Sequence, residues 1–323
     1  MAEFPTGVFM EWQKLGLIWT PTGEADWART HATLPVVQTL SDDRWRVYVS
    51  CRDALGKSHM GRLTLDVSAL PEGLPRVIEF ESDPVLSLGP PGAFDDSGVM
   101  PAWLIEHGDE QWMYYIGWNV RGLIPYHVSI GLAVSRDDGE TFQRASAGPV
   151  LDRSFHEPYF TTTPCVLREQ DRWRMWYASG HGWREIDGKW EPAYHVNYAE
   201  SADGISWTPA VASCIDAGED FAVCRPAVFK RTAGYGMLYS YRYLTQYRTD
   251  PALAYRLGYA ESTDGVAWQR KDDETGIERS GDGWDAEMIE YCLLHEHRGE
   301  TYLLYNGNGF GRSGFGIARL VVD

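Results

Sequence analysis

Three acidic residues stand where a carboxyl group could move protons. Asp96 lies in FDDSGVMP, Glu157 in FHEPYFTTTP and Glu290 in WDAEMIEYCLL, each just ahead of or inside an apolar run. A carboxyl at such an edge is a solvated loop acid unless its surroundings displace its affinity for protons, in which case it can act as general acid, base or nucleophile. The bland reading of Asp96 and its neighbour Asp95 is an Asx-type cap at a loop-strand junction. Glu157 precedes Pro158 and could be merely solvated, but His156 and Tyr159 beside it also suit a pocket. Glu290 is different, because it sits within the apolar run itself, where a charge is costly unless paired or facing a channel. It aligns with Arg225 of CRPAVF, so an ion pair between the two is expected. Glu287, three residues earlier, would point to the other side of a regular strand.

The arginines form a second constellation: Arg29, Arg52 next to Asp53, Arg225, Arg242, and Arg312 in NGNGFGRSG. His31 accompanies Arg29 in WARTHATLP. Guanidinium forks grip carboxylate or phosphate in a bidentate fashion, so convergence of several would mark an anionic ligand group. The alternative is that they neutralise acids in a chain of formal net charge −17. Trp118, Trp183 and Tyr243 are placed to stack on flat ligand faces. Asn119, Asn306 and Asn308 follow apolar runs and could bond hydroxyls, though Gly-Asn runs are equally common in turns.

What must position these residues is legible as a repeat. Each unit opens on an apolar run centred on proline: TLPVV, VMPAWL, TTPCVL and CRPAVF, with IEYCLL as the fifth. A second run then ends in tyrosine at Tyr48, Tyr115, Tyr177, Tyr239 and Tyr305, spaced 67, 62, 62 and 66 residues apart. A third run has small residues at its centre, as in SIGLAVS and RLGYAES. In the middle three units it passes into SRDDGETF, SADGISW or STDGVAW. Asp-Gly between two β-type runs signals a hairpin, since Gly tolerates positive φ and Asp bonds its own backbone. The phrase is therefore predicted to be a turn between third and fourth strands.

Five units of four short strands predict an all-β, five-bladed β-propeller. The blades run over 29–90, 91–153, 154–216, 217–280 and 281–323 within one domain, 1–323. The last unit lacks a fourth strand, and the orphan run KLGLIW, within residues 10–20, is expected to supply it and close the ring. Trp45, Trp112, Trp173, Trp207 and Trp268 recur at repeat positions and are expected in inter-blade core.

Composition narrows the classes. At 323 residues and 44% hydrophobic content the chain can bury a core without disulfides. Five scattered cysteines show no CxxC pair or zinc spacing and suit reduced thiols in the cytoplasm. The acidic balance argues against nucleic acid. No run approaches the length of a membrane span, and MAEFPTGVFMEWQKLG has no export-signal pattern. No GxSxG, HExxH, Walker or Rossmann pattern stands in a supporting context, so neither a cofactor nor a metal is called for. Oligomeric state is open.

The PVL segments (Pro84–Leu86 and Pro149–Leu151), the FDDSGVMP entry into blade 2 and the SxDGxxW turns resemble the five-bladed propeller glycosidases, the superfamily containing glycoside hydrolase families 43, 32, 68 and 130. SRDDGETF also resembles the Asp box of sialidase propellers, a structural turn there. The resemblance implies a funnel-shaped pocket at one end of the channel, ringed by carboxylates from different blades, and a small carbohydrate or sugar phosphate as substrate. Some such propellers hold a channel calcium, but no ligand pattern here demands one. The family usually places an aspartate on blade 1, where this chain has Arg29 and His31. On this resemblance Asp96 and Glu157 are the expected acid/base pair, with Glu290 replacing the blade 1 carboxylate. Arg29, His31, Arg52, Asp53, Trp118, Asn119, Tyr159, Arg225, Arg242, Asn306 and Arg312 are the expected substrate-binding residues. Phosphorolysis at an arginine-lined site, and a propeller that binds sugar or protein without catalysis, are the alternatives.

Overall fold

Each apolar run of the repeat forms a strand. The computed structural model describes residues 10–23, 25–170, 172–210 and 212–321. Residues 1–9, on which the reading of the N-terminus rests, lie outside them, as do 322–323 at the end of the expected domain. After β1 (Glu11–Trp19) come β2 (Thr30–Ser41), β3 (Arg44–Arg52), β4 (Ser58–Asp66) and β5 (Arg76–Phe80). The second unit is β6 (Gly98–His107), β7 (Glu110–Val120), β8 (Tyr126–Ser135) and β9 (Gln143–Arg144). The third is β10 (Thr161–Arg168), β11 (Trp173–Ile186), β12 (Lys189–Ser201) and β13 (Thr208–Pro209). The fourth is β14 (Phe221–Arg231), β15 (Gly234–Tyr243), β16 (Arg256–Ser262) and β17 (Gln269–Arg270). The fifth has β18 (Glu290–His297), β19 (Glu300–Asn306) and β20 (Phe315–Val321).

Within units the strands pair antiparallel in chain order. A lone parallel pairing of Ser58 with Gly98 joins the first unit to the second. The fifth unit takes β1 as its fourth strand, with Trp12 opposite Leu320 and Trp19 opposite Phe315. The architecture is all-β and propeller-like. First strands touch in cyclic order: β2 with β6, β6 with β10, β10 with β14, β14 with β18, and β18 with β2.

Separate apolar cores fill the interfaces between successive units. Val36, Tyr48 and Met60 pack on Val99, Met113 and Tyr115, and Trp45 and Val47 of the first unit pack on Leu293 and Leu304 of the fifth. Trp112 and Trp173 lie in one such core, while Trp207 and Trp268 pack against their edges. The fold is thus a set of interfaces as much as a set of sheets.

The SxDG phrase is the expected turn, and it also links neighbours. Ser201 Oγ donates to Asp203 and accepts from the Gly204 amide, and Gly204 adopts φ +74. The Gly204 carbonyl accepts from Tyr114 of the preceding unit at 2.7 Å. Gly139 O accepts likewise from Tyr48 at 2.9 Å, and Gly265 O from Trp176 at 2.6 Å. A tight turn exposes its carbonyl outward, and an aromatic donor one unit back satisfies it.

The prolines of the first strands set the register near the axis. Proline cannot donate to a ladder, and the pairing skips there: between Thr33 and Val36, Pro101 and Trp103, Thr162 and Cys165, Cys224 and Ala227. The residue before proline is left-handed at Leu34, Thr163 and Arg225, with φ of 56, 46 and 53. Tyr291 has φ 55 at the equivalent position of the fifth unit. Such conformations cost about 1–3 kcal/mol each and persist where the surroundings impose them.

Candidate functional site

These bulges form part of the wall of an axial cavity of about 430 Å³, lined from all five units. Leu34, Met100, Thr163, Cys224 and Tyr291 come from the first strands, and Trp118, Tyr126, Phe160, Tyr194, Tyr255 and Phe310 supply aromatic walls. Three guanidinium groups reach it: Arg52, Arg242 and Arg248. Arg52 ends β3, and among the described residues it forms no salt bridge. Its neighbours in charge are His31, Arg248 and, through His31, Arg312. Burial, together with Arg52 and Arg312, lowers His31 to about 4, so it is neutral at pH 7.

Arg242 is caged by tyrosines. Its guanidinium lies 3.7 Å from the Tyr247 ring centre. Nε donates to Tyr194 and Tyr255, and a terminal nitrogen to Pro192 O at 2.8 Å. It too forms no salt bridge among the described residues. Arg248 instead pairs with Glu191, at 3.0 and 3.2 Å, and Glu191 also accepts from Tyr247. Burial opposes the charge on Glu191, but the bonds from Arg248 and Tyr247 prevail and hold it below its ordinary range.

Glu290 is in the opposite state. It is 0% exposed, and among the described residues neither carboxyl oxygen has a hydrogen bond of ordinary geometry, the adjoining Tyr291 phenol being its hydrogen-bonding neighbour. Burial drives its proton affinity well above the carboxylate range, against the adjoining Tyr291 phenol and the attraction of Arg242 and Arg248. The adjoining Tyr291 lines the cavity, whereas Glu290 does not. No ion pair joins Glu290 to Arg225 among the described residues. The expected pairing fails because Arg225 lies across the axis, donating to Ala102 O at 2.5 Å in the second unit.

The other expected carboxyls stand away from the cavity. Glu157 is 4% exposed, with both oxygens 2.9 Å from the Tyr177 hydroxyl and one accepting from Asn197 at 2.7 Å. The same arrangement recurs: Tyr115 donates to Asp95 at 2.9 Å, and Tyr305 to Asp285 at 3.0 Å. Asp285 also holds Lys14 of the closing strand at 2.7 Å. Asp96 accepts from the Gly92 amide and from Ser97 at 2.8 Å each, as an Asx turn does.

Of the expected binding residues, Arg52, Trp118 and Arg242 line the cavity. Arg29 and Asp53 border a separate recess with Trp27. There Arg29 pairs with Asp26, and Asp53 accepts from Leu55, Lys57 and His59. Asn306 is buried and ties units together, accepting from Leu34 at 2.9 Å and donating to Ala32 O. Asn119 donates to Ala93 O at 3.3 Å. Tyr159 is exposed at 40%, and Arg312 is exposed beside His31. Among the described residues no group of three or more His, Cys, Asp or Glu is arranged to hold a metal ion. None of their helices is long and apolar enough to cross a membrane.

Sequence reasoning missed Glu191, Tyr194, Tyr247, Arg248 and Tyr255. A signal existed in connection length: residues 244–255 join β15 to β16, where 53–57 suffice between β3 and β4. A long loop at one end of a repeat often carries function.

The chain belongs to the same family as uncharacterized proteins from two Mycobacterium tuberculosis strains, each 36% identical over 313 residues, covering 96% of this chain and 99% of the relative. No family model matches it. Its fold is that of propeller glycoside hydrolases. A glycosyl hydrolase from Bacteroides ovatus is similar with TM-score 0.70 at 16% identity, over 98% of this chain and 95% of that one. A thermostable family-43 glycoside hydrolase gives 0.61 at 17%, over 91% and 89%. A Bombyx mori GH32 beta-fructofuranosidase gives 0.60 at 15%, over 97% of this chain and 61% of that one.

Proposed function

We propose that the five units are blades of one closed five-bladed propeller domain, and that the chain is a carbohydrate-active enzyme of the glycoside hydrolase type working on a small anionic sugar in the axial cavity. Cyclic contacts between first strands and the seating of β1 in the fifth unit support the ring. Five buried cysteines outside any disulfide suit the cytoplasm.

The observation that carries the catalytic reading is the opposite displacement of two carboxyls under the same arginines. Glu290 is pushed up and Glu191 down, and Arg242 and Arg248 act on both. Hydrolysis of a glycoside needs one protonated and one ionised carboxyl. In this reading Glu290 is the proton source, acting on the cavity through the neighbouring phenol of Tyr291, and Glu191 is the ionised partner. Arg52 and Arg242, which form no salt bridge among the described residues, receive the anionic group, while Trp118 and Tyr126 offer flat faces to the sugar.

Those two arginines also favour a second reading, phosphorolysis, with inorganic phosphate as the acceptor. The test is a product screen of glycosides, glycuronides and sugar phosphates, with and without phosphate, on wild type, Glu290→Gln and Glu191→Gln. Phosphate-independent product that disappears in both variants supports hydrolysis. Phosphate-dependent product selects phosphorolysis. Ligand-induced stabilisation without any product identifies a binding propeller and overturns the enzymatic reading.

A further inference from the structure

Beneath the cavity the ring axis is crossed by one cation. Arg225 is 0% exposed and left-handed ahead of Pro226, with φ 53. Its amide donates to Thr163 Oγ1 at 3.1 Å. One terminal nitrogen, Nη1, reaches Ala102 O of the second unit at 2.5 Å. Nε and Nη2 have no hydrogen-bond partner. These two nitrogens form one whole edge of the guanidinium, the edge that grips anions in a bidentate fashion.

Burial disfavours the charge on Arg225, and the titratable groups that come next are the thiols of Cys292, Cys165 and Cys224. Burial pushes each of them up to about 12, so they are neutral SH groups at pH 7. Glu290, the buried acid nearest in sequence position on the adjacent unit, makes no ion pair with it among the described residues. A buried guanidinium without counter-charge is costly, and its left-handed backbone adds to that cost. An edge left open by the protein on a fully buried cation is therefore a binding edge. The surrounding thiols are soft, weak donors, which suits a small polarisable ion better than a strongly hydrated oxyanion. Thr163, which accepts from the Arg225 amide, and Cys224, its chain neighbour, both line the cavity.

We propose that the Nε/Nη2 edge of Arg225, on the ring axis below the cavity, binds a small inorganic anion of the halide class. The ion neutralises the axial charge and ties the fourth unit to the second. It is separate from the cavity arginines and independent of the catalytic reading. Bromide is the probe. Crystals of the whole chain soaked in bromide should give an anomalous peak within hydrogen-bond reach of Nε and Nη2. The unfolding midpoint of wild type should rise by about 3 °C in bromide over gluconate at matched ionic strength. Arg225→Met should abolish that rise, and Arg52→Gln should retain it. A bromide peak at Arg52 or Arg242 alone, a midpoint indifferent to halide, or a rise that survives in Arg225→Met overturns the proposal. Should Arg225→Met fail to fold, the wild-type anomalous map decides by itself.

Discussion

Glu157 in the third unit and Glu290 in the fifth are both buried acids beside first strands, yet their surroundings differ in every other respect. Glu157 accepts from Tyr177 and Asn197; Glu290 has no bond of ordinary geometry among the described residues and meets only the phenol of its chain neighbour Tyr291. The Glu157 arrangement repeats at Asp95 and Asp285, each held by the repeat tyrosine of a second strand. A feature that returns in several units of a repeat belongs to the scaffold they share. Glu290 has no acidic counterpart: the equivalent position, just before the skip in pairing, holds Cys224 in the fourth unit and Thr162 in the third. A buried group that the scaffold does not satisfy is where function is to be sought.

The contrast can be broken most sharply at Glu290. Glu290→Gln should lower turnover of an identified glycoside by about 100-fold or more while leaving the circular dichroism spectrum unchanged; full turnover would remove Glu290 from the mechanism. Glu157→Ala should act on the other quantity, costing about 3 kcal/mol in urea unfolding by leaving Tyr177 and Asn197 unpaired. If that variant is as stable as wild type, Glu157 is no clamp and the distinction fails.

Smaller effects sharpen it. Arg52→Gln should raise KM for an anionic sugar about tenfold, equivalent to about 1.4 kcal/mol, with neutral sugars unaffected; equal losses for both would disprove an anion-reading role. The protonation of Glu290 predicts a sign in pH dependence. Its folded-state affinity for protons is raised, so the stability it contributes is present at low pH and is lost as pH rises above 4.5, the value from which it departs. Wild type should therefore lose stability relative to Glu290→Gln above that pH, with a slope of at most about 1.4 kcal/mol per unit. Parallel curves would show that Glu290 ionises normally. Last, Gly204→Ala should cost about 1–2 kcal/mol, from its positive φ and from a Cβ set 2.9 Å from the Tyr114 hydroxyl, and leave ligand affinity untouched.

The repeat was legible because its signals are local. Asp-Gly turns, prolines in the first runs and tyrosines ending the second runs each reflect a backbone or packing demand within a few residues, and each returned as predicted. The Asx reading of Asp96 was equally local, and its bonds to Gly92 and Ser97 match it. The cavity was legible only in part. Arg52, Trp118 and Arg242 were found, being polar or aromatic residues at the ends of second strands. Arg248 and Glu191 were missed because their pairing joins residues 57 apart, and Arg225 was matched to Glu290 although it reaches the opposite side of the axis.

By itself the sequence determined the strand pattern, the repeated unit, the turns and the recruitment of KLGLIW as a strand beside the last unit, because periodicity and turn chemistry are properties of neighbouring residues. Tertiary structure alone decided which arginines share a cavity, which acids are clamped by tyrosine and which charge is left open on the axis. Those outcomes depend on where separate units meet, and the burial and hydrogen-bond partners of a charge are set by residues that may be hundreds of positions away in the chain.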